Sequence, residues 1–161
     1  MQRNRRTAAG FLERMQTPDD IARSASVHWE GDIARGKGTI TAESGLVTAG
    51  YSFGTRFSNE PGTNPEELLA AAHAACFTMA LTLALSRAGH APTAVDTTAR
   101  VHLKRDAQGF DVPLIELATT ATAPRLDADE FQKLAGAAKE NCPISRALKA
   151  VEIRLDARLN P

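Results

Sequence analysis

The chain has 161 residues, and its 19 Lys and Arg residues balance 19 Asp and Glu residues for a formal net charge of zero. A chain of this length fits one domain that buries roughly two thirds of its unfolded surface, so folding needs no disulfide. The chain has no excess of positive charge, and it contains only one Trp and one Tyr. It therefore lacks the basic and aromatic surface expected of a nucleic-acid-binding protein. We therefore expect no nucleic-acid partner.

Residues 1–25 are predicted to be an N-terminal extension, and residues 26–161 to be one domain. The extension carries scattered arginines without a continuous apolar core, so it does not have the pattern of a secretory signal. We therefore expect a cytoplasmic protein, and in that compartment a persistent structural disulfide is disfavoured.

Short strands are predicted for the first part of this domain. Between Ser26 and Phe57, six glycines separate short runs rich in Thr, Ile, Val and aromatic residues. This pattern predicts a meander of short antiparallel strands, followed by a loop over residues 58–63.

The strongest helix signal begins at Asn64, which is a suitable N-cap for a helix with Pro65 in its first position. Glu67, three residues after the cap, completes an arrangement similar to a capping box. We expect this helix to run to about Ala88 and to end at Gly89.

The apolar run over residues 68–85 is long enough to suggest a membrane span. However, it contains one His and two Thr residues and is dominated by Ala, which favours a helix of a soluble protein. Apolar residues lie on every side of its middle, so we expect it to be surrounded by protein.

The second half of the chain predicts a hairpin, two helices and a final strand. Alternating polarity over residues 93–104 and a turn before residues 110–122 predict the hairpin. One helix is capped by Asp127 and a short one begins at Pro143. Alternation returns over residues 151–159, which predicts the last strand.

Cys76 and Cys142 are the only two thiols of the chain. The thiolate is the nucleophile, and an unperturbed cysteine with a pKa of about 8.5 is mostly protonated at neutral pH. Cys142 is predicted to be the N-cap of the helix at Pro143, where the helix dipole favours its anion. Cys76 lies in the middle of an apolar helix, which raises its pKa, so its activation needs a cation from elsewhere.

Several interpretations of this pair remain open from the residues alone. Both thiols could simply be buried for packing, or they could form a redox pair. His73 lies one turn before Cys76 and could donate to its thiolate or be a core histidine. A metal site of His73, Cys76 and Cys142 lacks an obvious fourth ligand, so we expect no metal.

Six short motifs, in order, resemble the OsmC/Ohr family, in particular its OsmC branch. They are VHWEGDI (27–33), GKGT (36–39), TRF (55–57), GTNPEEL (62–68), AAHAACF (71–77) and CP (142–143). The resemblance runs from about Ser26 to Leu159 and leaves the N-terminal arm outside.

This resemblance implies an α+β fold in which antiparallel sheets wrap around two central helices in an intertwined homodimer with shared active sites. It also implies a thiol-dependent peroxidase that reduces organic hydroperoxides, and hydrogen peroxide less efficiently, in oxidative and osmotic stress defence. The reductant would be a dithiol such as a lipoylated protein. No cofactor is implied.

The resemblance also assigns residues. Cys76 matches the peroxidatic cysteine, Cys142 the resolving cysteine and Glu66 the active-site glutamate. The arginine has two candidates, Arg56, which we favour, and Arg35. Apolar residues that could favour an alkyl peroxide, or equally belong to the core, are Phe53, Phe57, Phe77 and Met79.

Helix geometry constrains these assignments. Glu66 precedes Cys76 by ten residues, which is about 15 Å of rise on a straight helix. Either the helix breaks between them or the partner subunit supplies Glu66, and we expect the second. The alternatives to an enzyme are a non-enzymatic redox sensor and a binding dimer with incidental cysteines.

Overall fold

The structure is a computed structural model that describes residues 20–160. It forms two compact units, one reaching to Leu68 and the other beginning at Leu69. Most of the predicted N-terminal extension therefore lies outside the described residues, and the proposed boundary at residue 26 stays a prediction.

The first unit contains a three-stranded antiparallel meander, as predicted. Its strands are β1 (Ala25–Glu30), β2 (Lys37–Ala42) and β3 (Thr48–Ser52), in the order β1-β2-β3. The rings of Trp29 and Tyr51 lie 5.2 Å apart beside Gly38. A Cβ atom on Gly38 would clash with the Tyr51 ring, so the absence of a side chain there allows the two rings to pack.

The segment Phe53–Phe57 differs from the prediction, because it forms a short helix, α1, where extended chain was expected. Local side chains explain the difference. The Ser52 hydroxyl accepts a hydrogen bond from the Thr55 N–H, and the Thr55 hydroxyl accepts one from the Ser52 N–H. This reciprocal capping box begins a helix where the apolar pattern alone indicated a strand.

Helix α2 spans Pro65–Arg87 and confirms the predicted start and end. The Asn64 side-chain oxygen accepts a hydrogen bond from the Glu67 N–H over 2.8 Å. The Glu67 carboxylate accepts one from the Thr63 hydroxyl. Gly89 has a φ of +91°, which is the left-handed conformation expected just beyond a helix end.

The second unit has a mixed three-stranded sheet of β4 (Ala94–Arg105), β5 (Phe110–Thr122) and β6 (Glu152–Asn160). β4 and β5 form the predicted antiparallel pair, but β5 and β6 pair in parallel, contrary to the implied antiparallel sheet. The helices α3 (Ala128–Asn141) and α4 (Pro143–Ala147) lie between β5 and β6 in the chain. Such a helical crossover returns the chain to the same end of the sheet, which is what parallel pairing requires.

The side of α2 that faces the core of the second unit presents every fourth residue: His73, Phe77, Leu81 and Leu85. Phe77, Leu81 and Leu85 pack with apolar residues of the sheet and of α3, including Leu117 and Phe131. In this way α2, which is long and apolar enough to cross a membrane, packs against the core of its unit.

A second side of α2 is exposed in the single chain. It comprises Ala71, Ala72, Ala75 and Met79, and Met79 is 75% exposed. The expectation that α2 is surrounded by protein stays a prediction, because this exposure is that of a single copy of the chain.

Candidate active site

The two cysteines, distant in sequence, meet in the second unit. Cys76 lies on α2 and Cys142 between α3 and α4, and their sulfur atoms are 3.1 Å apart, within hydrogen-bond distance for two thiols. Cys142 is fully buried, whereas Cys76 is partly exposed. A disulfide has a sulfur–sulfur distance of about 2.05 Å, so a movement of about 1 Å would bond them.

The backbone around Pro143 fixes Cys142. Proline disfavours the helical conformation at the residue that precedes it. Cys142, which precedes Pro143, is accordingly extended, with φ −60° and ψ 122°. It is therefore both the C-cap of α3 and the N-cap of α4. Its N–H donates to the Ala138 carbonyl, and its own carbonyl accepts from the Arg146 N–H, so both helices hold it.

The environment of Cys142 lowers its pKa. Burial alone raises that pKa, but the backbone N–H of Ser145, the Cys76 thiol, the Ser145 hydroxyl and the Ile144 N–H together outweigh burial. The Cys142 side chain makes no N-cap hydrogen bond. The N–H groups therefore act on the sulfur as dipoles at the helix start, as the sequence predicted.

The environment of Cys76 acts in the opposite direction. Burial raises the pKa of the Cys76 thiol, the Ile144 N–H partly offsets this effect, and the neighbouring Cys142 thiol adds to it. This is the predicted behaviour of a thiol in the middle of an apolar helix.

His73 is fully buried, and its Nε2 atom lies 2.9 Å from the Ser145 hydroxyl oxygen. Burial lowers the pKa of His73, which favours a neutral ring. Its hydrogen bond to Ser145 supports the core-histidine interpretation over direct donation to Cys76. Among residues 20–160, no group of three His, Cys, Asp or Glu side chains could hold a metal ion.

Arg56 and Glu66 form an ion pair in the first unit. The Arg56 Nη2 atom lies 2.6 Å from Glu66 Oε1, and Nε lies 3.2 Å from both carboxylate oxygens. The Glu66 side chain is 13% exposed and that of Arg56 is 36% exposed. The hydrogen bonds that Arg56 donates to Glu66 raise the pKa of Arg56, so the guanidinium stays charged and is held in a fixed orientation.

Arg35, the other candidate, lies in the turn between β1 and β2. Its side chain is 89% exposed, and it pairs with Asp32 over 3.3 Å. Glu66 is therefore paired with Arg56 and not with Arg35.

The four apolar candidates differ in exposure. Phe53 and Phe57 are exposed with their ring centroids 4.7 Å apart, and the Arg56 guanidinium lies 5.3 Å from the Phe57 ring centroid. Met79 is also exposed. Phe77 is completely buried in the core of the second unit, so it packs that core and has no surface to offer a substrate.

Comparison with known proteins gives consistent matches. A family model described as OsmC-like protein matches residues 57–156. The chain is 51% identical over 140 residues to Peroxiredoxin OsmC of Escherichia coli, covering 86% of this chain and 97% of that protein. It is 30% identical over 125 residues to the organic hydroperoxide resistance protein OhrB of Bacillus subtilis, and the match covers 75% of this chain and 89% of that protein.

The chain belongs to the OsmC family. The crystal structure of Bacillus subtilis OhrB superposes with a TM-score of 0.62 and 28% identity, covering 85% of this chain and 98% of that one. An organic hydroperoxide resistance protein from Elizabethkingia anophelis superposes with a TM-score of 0.67 and 26% identity, and the superposition covers 89% of this chain and 100% of that one. The predicted α+β fold class is therefore confirmed.

The OsmC family match covers only part of the candidate site. Residues 57–156 include Glu66, Cys76 and Cys142, whereas Arg56 and Arg35 precede them. The choice between the arginines therefore depends on the ion pair with Glu66. Ser145 was not among the predicted site residues, and its one local signal in the sequence is its position three residues after Cys142.

Proposed function

We propose that this OsmC-family chain is a thiol-dependent peroxidase that reduces organic hydroperoxides, and hydrogen peroxide less efficiently, in oxidative and osmotic stress defence. The observation that carries the proposal is the reduced cysteine pair, whose sulfur atoms lie 3.1 Å apart with one thiol partly exposed and the other buried. The names of the relatives, a peroxiredoxin and organic hydroperoxide resistance proteins, support the same activity.

In the first step, the Cys76 thiolate attacks the terminal oxygen of the hydroperoxide. The S–O bond of a sulfenic acid forms, the O–O bond breaks, and the alkoxide takes a proton and leaves as the alcohol. Exposure favours Cys76 for this role, because a hydroperoxide can approach a partly exposed sulfur but not the fully buried Cys142. The lower pKa of Cys142 does not by itself decide which thiol attacks first.

In the second step, the Cys142 sulfur attacks the sulfur of the Cys76 sulfenic acid. The S–S bond forms, the S–O bond breaks, and the hydroxide leaves as water with the proton of the Cys142 thiol. An external dithiol then reduces the disulfide by thiol–disulfide exchange. We expect a dithiol such as dihydrolipoamide or a lipoylated protein, acting in the cytoplasm.

The Arg56–Glu66 pair would activate Cys76 in this scheme. A guanidinium stabilises the thiolate and the leaving oxygen, and a bidentate carboxylate fixes its orientation. Such a cation would counteract the burial that raises the pKa of Cys76.

We infer that a second copy of the chain provides this pair. Helix α2 runs without a break from Pro65 to Arg87, which excludes the alternative in which the helix breaks. About 15 Å of helix rise separates Glu66 from Cys76. The exposed apolar side of α2, ending at Met79, is a suitable surface for pairing of two copies in a homodimer.

Three apolar side chains are proposed to contact the substrate: Phe53, Phe57 and Met79. All three are exposed in the single chain, and Phe57 is next to Arg56. Apolar groups favour the organic part of an alkyl hydroperoxide over the small polar hydrogen peroxide.

Stopped-flow reduction of cumene hydroperoxide and hydrogen peroxide, with dihydrolipoamide as donor, tests the function. We expect catalytic turnover by the wild type and faster reaction with cumene hydroperoxide. In the absence of the dithiol, Cys142→Ser should consume one equivalent and leave a sulfenic acid on Cys76, whereas Cys76→Ser should consume none. Retained turnover in Cys76→Ser would reverse the roles, and the absence of turnover in the wild type would exclude a peroxidase.

A further inference from the structure

Two contacts of matched spacing join α2 to the segment that carries Cys142. His73 and Cys76 are three residues apart on α2, and Cys142 and Ser145 are three residues apart across the start of α4. His73 Nε2 contacts the Ser145 hydroxyl over 2.9 Å, and Cys76 contacts Cys142 over 3.1 Å. The hydrogen bond therefore fixes the same two segments whose sulfur atoms must react.

The burial of His73 determines the direction of this hydrogen bond. Nδ1 has no hydrogen-bond partner among residues 20–160, and the ring is fully buried. A neutral ring carries one N–H and one acceptor nitrogen. If Nδ1 carried the proton, a buried donor would be left unpaired, which is rare and costly. The proton is therefore on Nε2, which donates to the Ser145 oxygen.

This direction leaves the Ser145 proton available for another acceptor. Because the Ser145 oxygen accepts from His73, its own O–H can point elsewhere. Ser145 lies three residues after Cys142 in α4. Burial raises the pKa of Cys142, and both the backbone N–H and the hydroxyl of Ser145 lower it. Ser145 itself is buried, so bulk water competes little for its hydroxyl.

We propose that His73 and Ser145 are positioning residues for the resolving step, which hold Cys142 against Cys76 and orient the Ser145 hydroxyl toward the Cys142 sulfur. This inference rests on the proposed peroxidase function and assigns the two residues to one step of it. The pair acts on the attack of Cys142 on the Cys76 sulfenic acid and not on the attack of Cys76 on the peroxide.

Ser145→Ala is the most direct test, because it removes one hydroxyl and introduces a residue that a helix tolerates. After mixing with one equivalent of cumene hydroperoxide, we expect the sulfenic acid on Cys76 to form at a rate within about twofold of the wild type. Disulfide formation should slow roughly five- to tenfold, the factor that corresponds to one hydrogen bond. The longer-lived sulfenic acid should give more sulfinic acid at excess peroxide, measured by mass spectrometry.

Three further variants separate positioning from loss of packing. Ser145→Thr keeps the hydroxyl, and His73→Gln keeps an N–H donor, so each should resolve faster than Ser145→Ala. Thr119→Val is the matched control, because Thr119 is a buried residue of the same unit whose hydroxyl bonds to Thr97 and Asp96. It should lower stability without slowing disulfide formation.

Titration of the thiol provides a readout that does not depend on turnover. In a Cys76→Ser background, adding Ser145→Ala should raise the pKa of Cys142, whereas adding Thr119→Val should not. Wild-type rates of disulfide formation and an unchanged Cys142 pKa in the Ser145→Ala variants would overturn the inference while leaving the peroxidase proposal intact. If the wild type forms no sulfenic acid with peroxide, both proposals fail.

Discussion

The sulfur atoms of Cys76 and Cys142 lie 3.1 Å apart, yet their pKa values shift in opposite directions. Burial raises the pKa of Cys76, whereas nearby N–H and hydroxyl groups outweigh burial at Cys142 and lower its pKa. For Cys142 the folded-state pKa is lower than the unfolded one, so ionisation stabilises the folded state. That stability is fully present above the unfolded pKa of about 8.5. It is lost as the pH falls through the folded pKa.

This linkage predicts a pH dependence of stability that belongs to Cys142. The free energy of unfolding of Cys76→Ser, relative to the Cys76→Ser/Cys142→Ser double variant, should increase as the pH is raised from 6 to 9. Urea unfolding under reducing conditions at both pH values measures it, and the double variant removes the contribution of all other groups. A difference that decreases with pH would show that burial dominates the Cys142 environment.

Arg56 provides the second residue-scale prediction. Arg56→Lys should lower kcat/KM for cumene hydroperoxide roughly 100-fold, because an ammonium group cannot reproduce the bidentate contact with Glu66. Arg35→Lys is the matched control and should stay within about twofold, since Arg35 is exposed and pairs with Asp32. A larger loss in Arg35→Lys would assign the catalytic arginine to the β1–β2 turn.

At this scale the sequence was informative where the signal is local. The Asn64 cap and the helix start next to Cys142 follow from neighbouring residues and are confirmed. The contact between Ser145 and His73 was not predictable, because the two residues are 72 positions apart and only folding brings them together. The preference for Arg56 came from the family resemblance, and its pairing with Glu66 supports that preference.

At the scale of elements, α2 buries one apolar side and exposes another. Met79→Glu, on the exposed side, should convert a dimer into monomers and lower peroxidase activity at least tenfold, because a carboxylate would be buried at the interface. Sedimentation velocity measures the oligomeric state, and circular dichroism checks the fold. Leu46→Glu is the control, since Leu46 is an exposed apolar residue in the turn between β2 and β3. A monomeric Met79→Glu with full activity would contradict the shared site.

Most helices and strands were predictable, because the sequence marks them with periodic apolar residues or with glycines and capping residues at their ends. The meander, α2 and the β4–β5 hairpin follow from glycines, a cap and strict alternation. Helix α1 was missed because a Ser52–Thr55 capping box overrides the apolar pattern. The parallel pairing of β6 was missed because alternation reports which side of a strand is buried and not which direction it runs.

At the scale of the whole molecule, the proposed site is divided between two groups of residues. Arg56 and Glu66 pair in the first unit, and the two thiols meet in the second. The fold class was predictable from the family motifs. The expected assembly of the two groups in a dimer stays a prediction, because a helix rise of about 15 Å keeps Glu66 away from Cys76 of its own chain but does not identify what replaces it there.

Mixing two inactive variants tests the shared site most directly. One variant carries Cys76→Ser and the other carries Arg56→Ala, and the two are mixed under conditions that exchange subunits. If the pair acts on the partner's Cys76, each mixed dimer has one intact site, and random pairing should restore about one quarter of the wild-type rate of cumene hydroperoxide reduction. If mixed dimers form, as native mass spectrometry would show, and activity does not return, Arg56 acts within its own chain and the shared-site account is wrong.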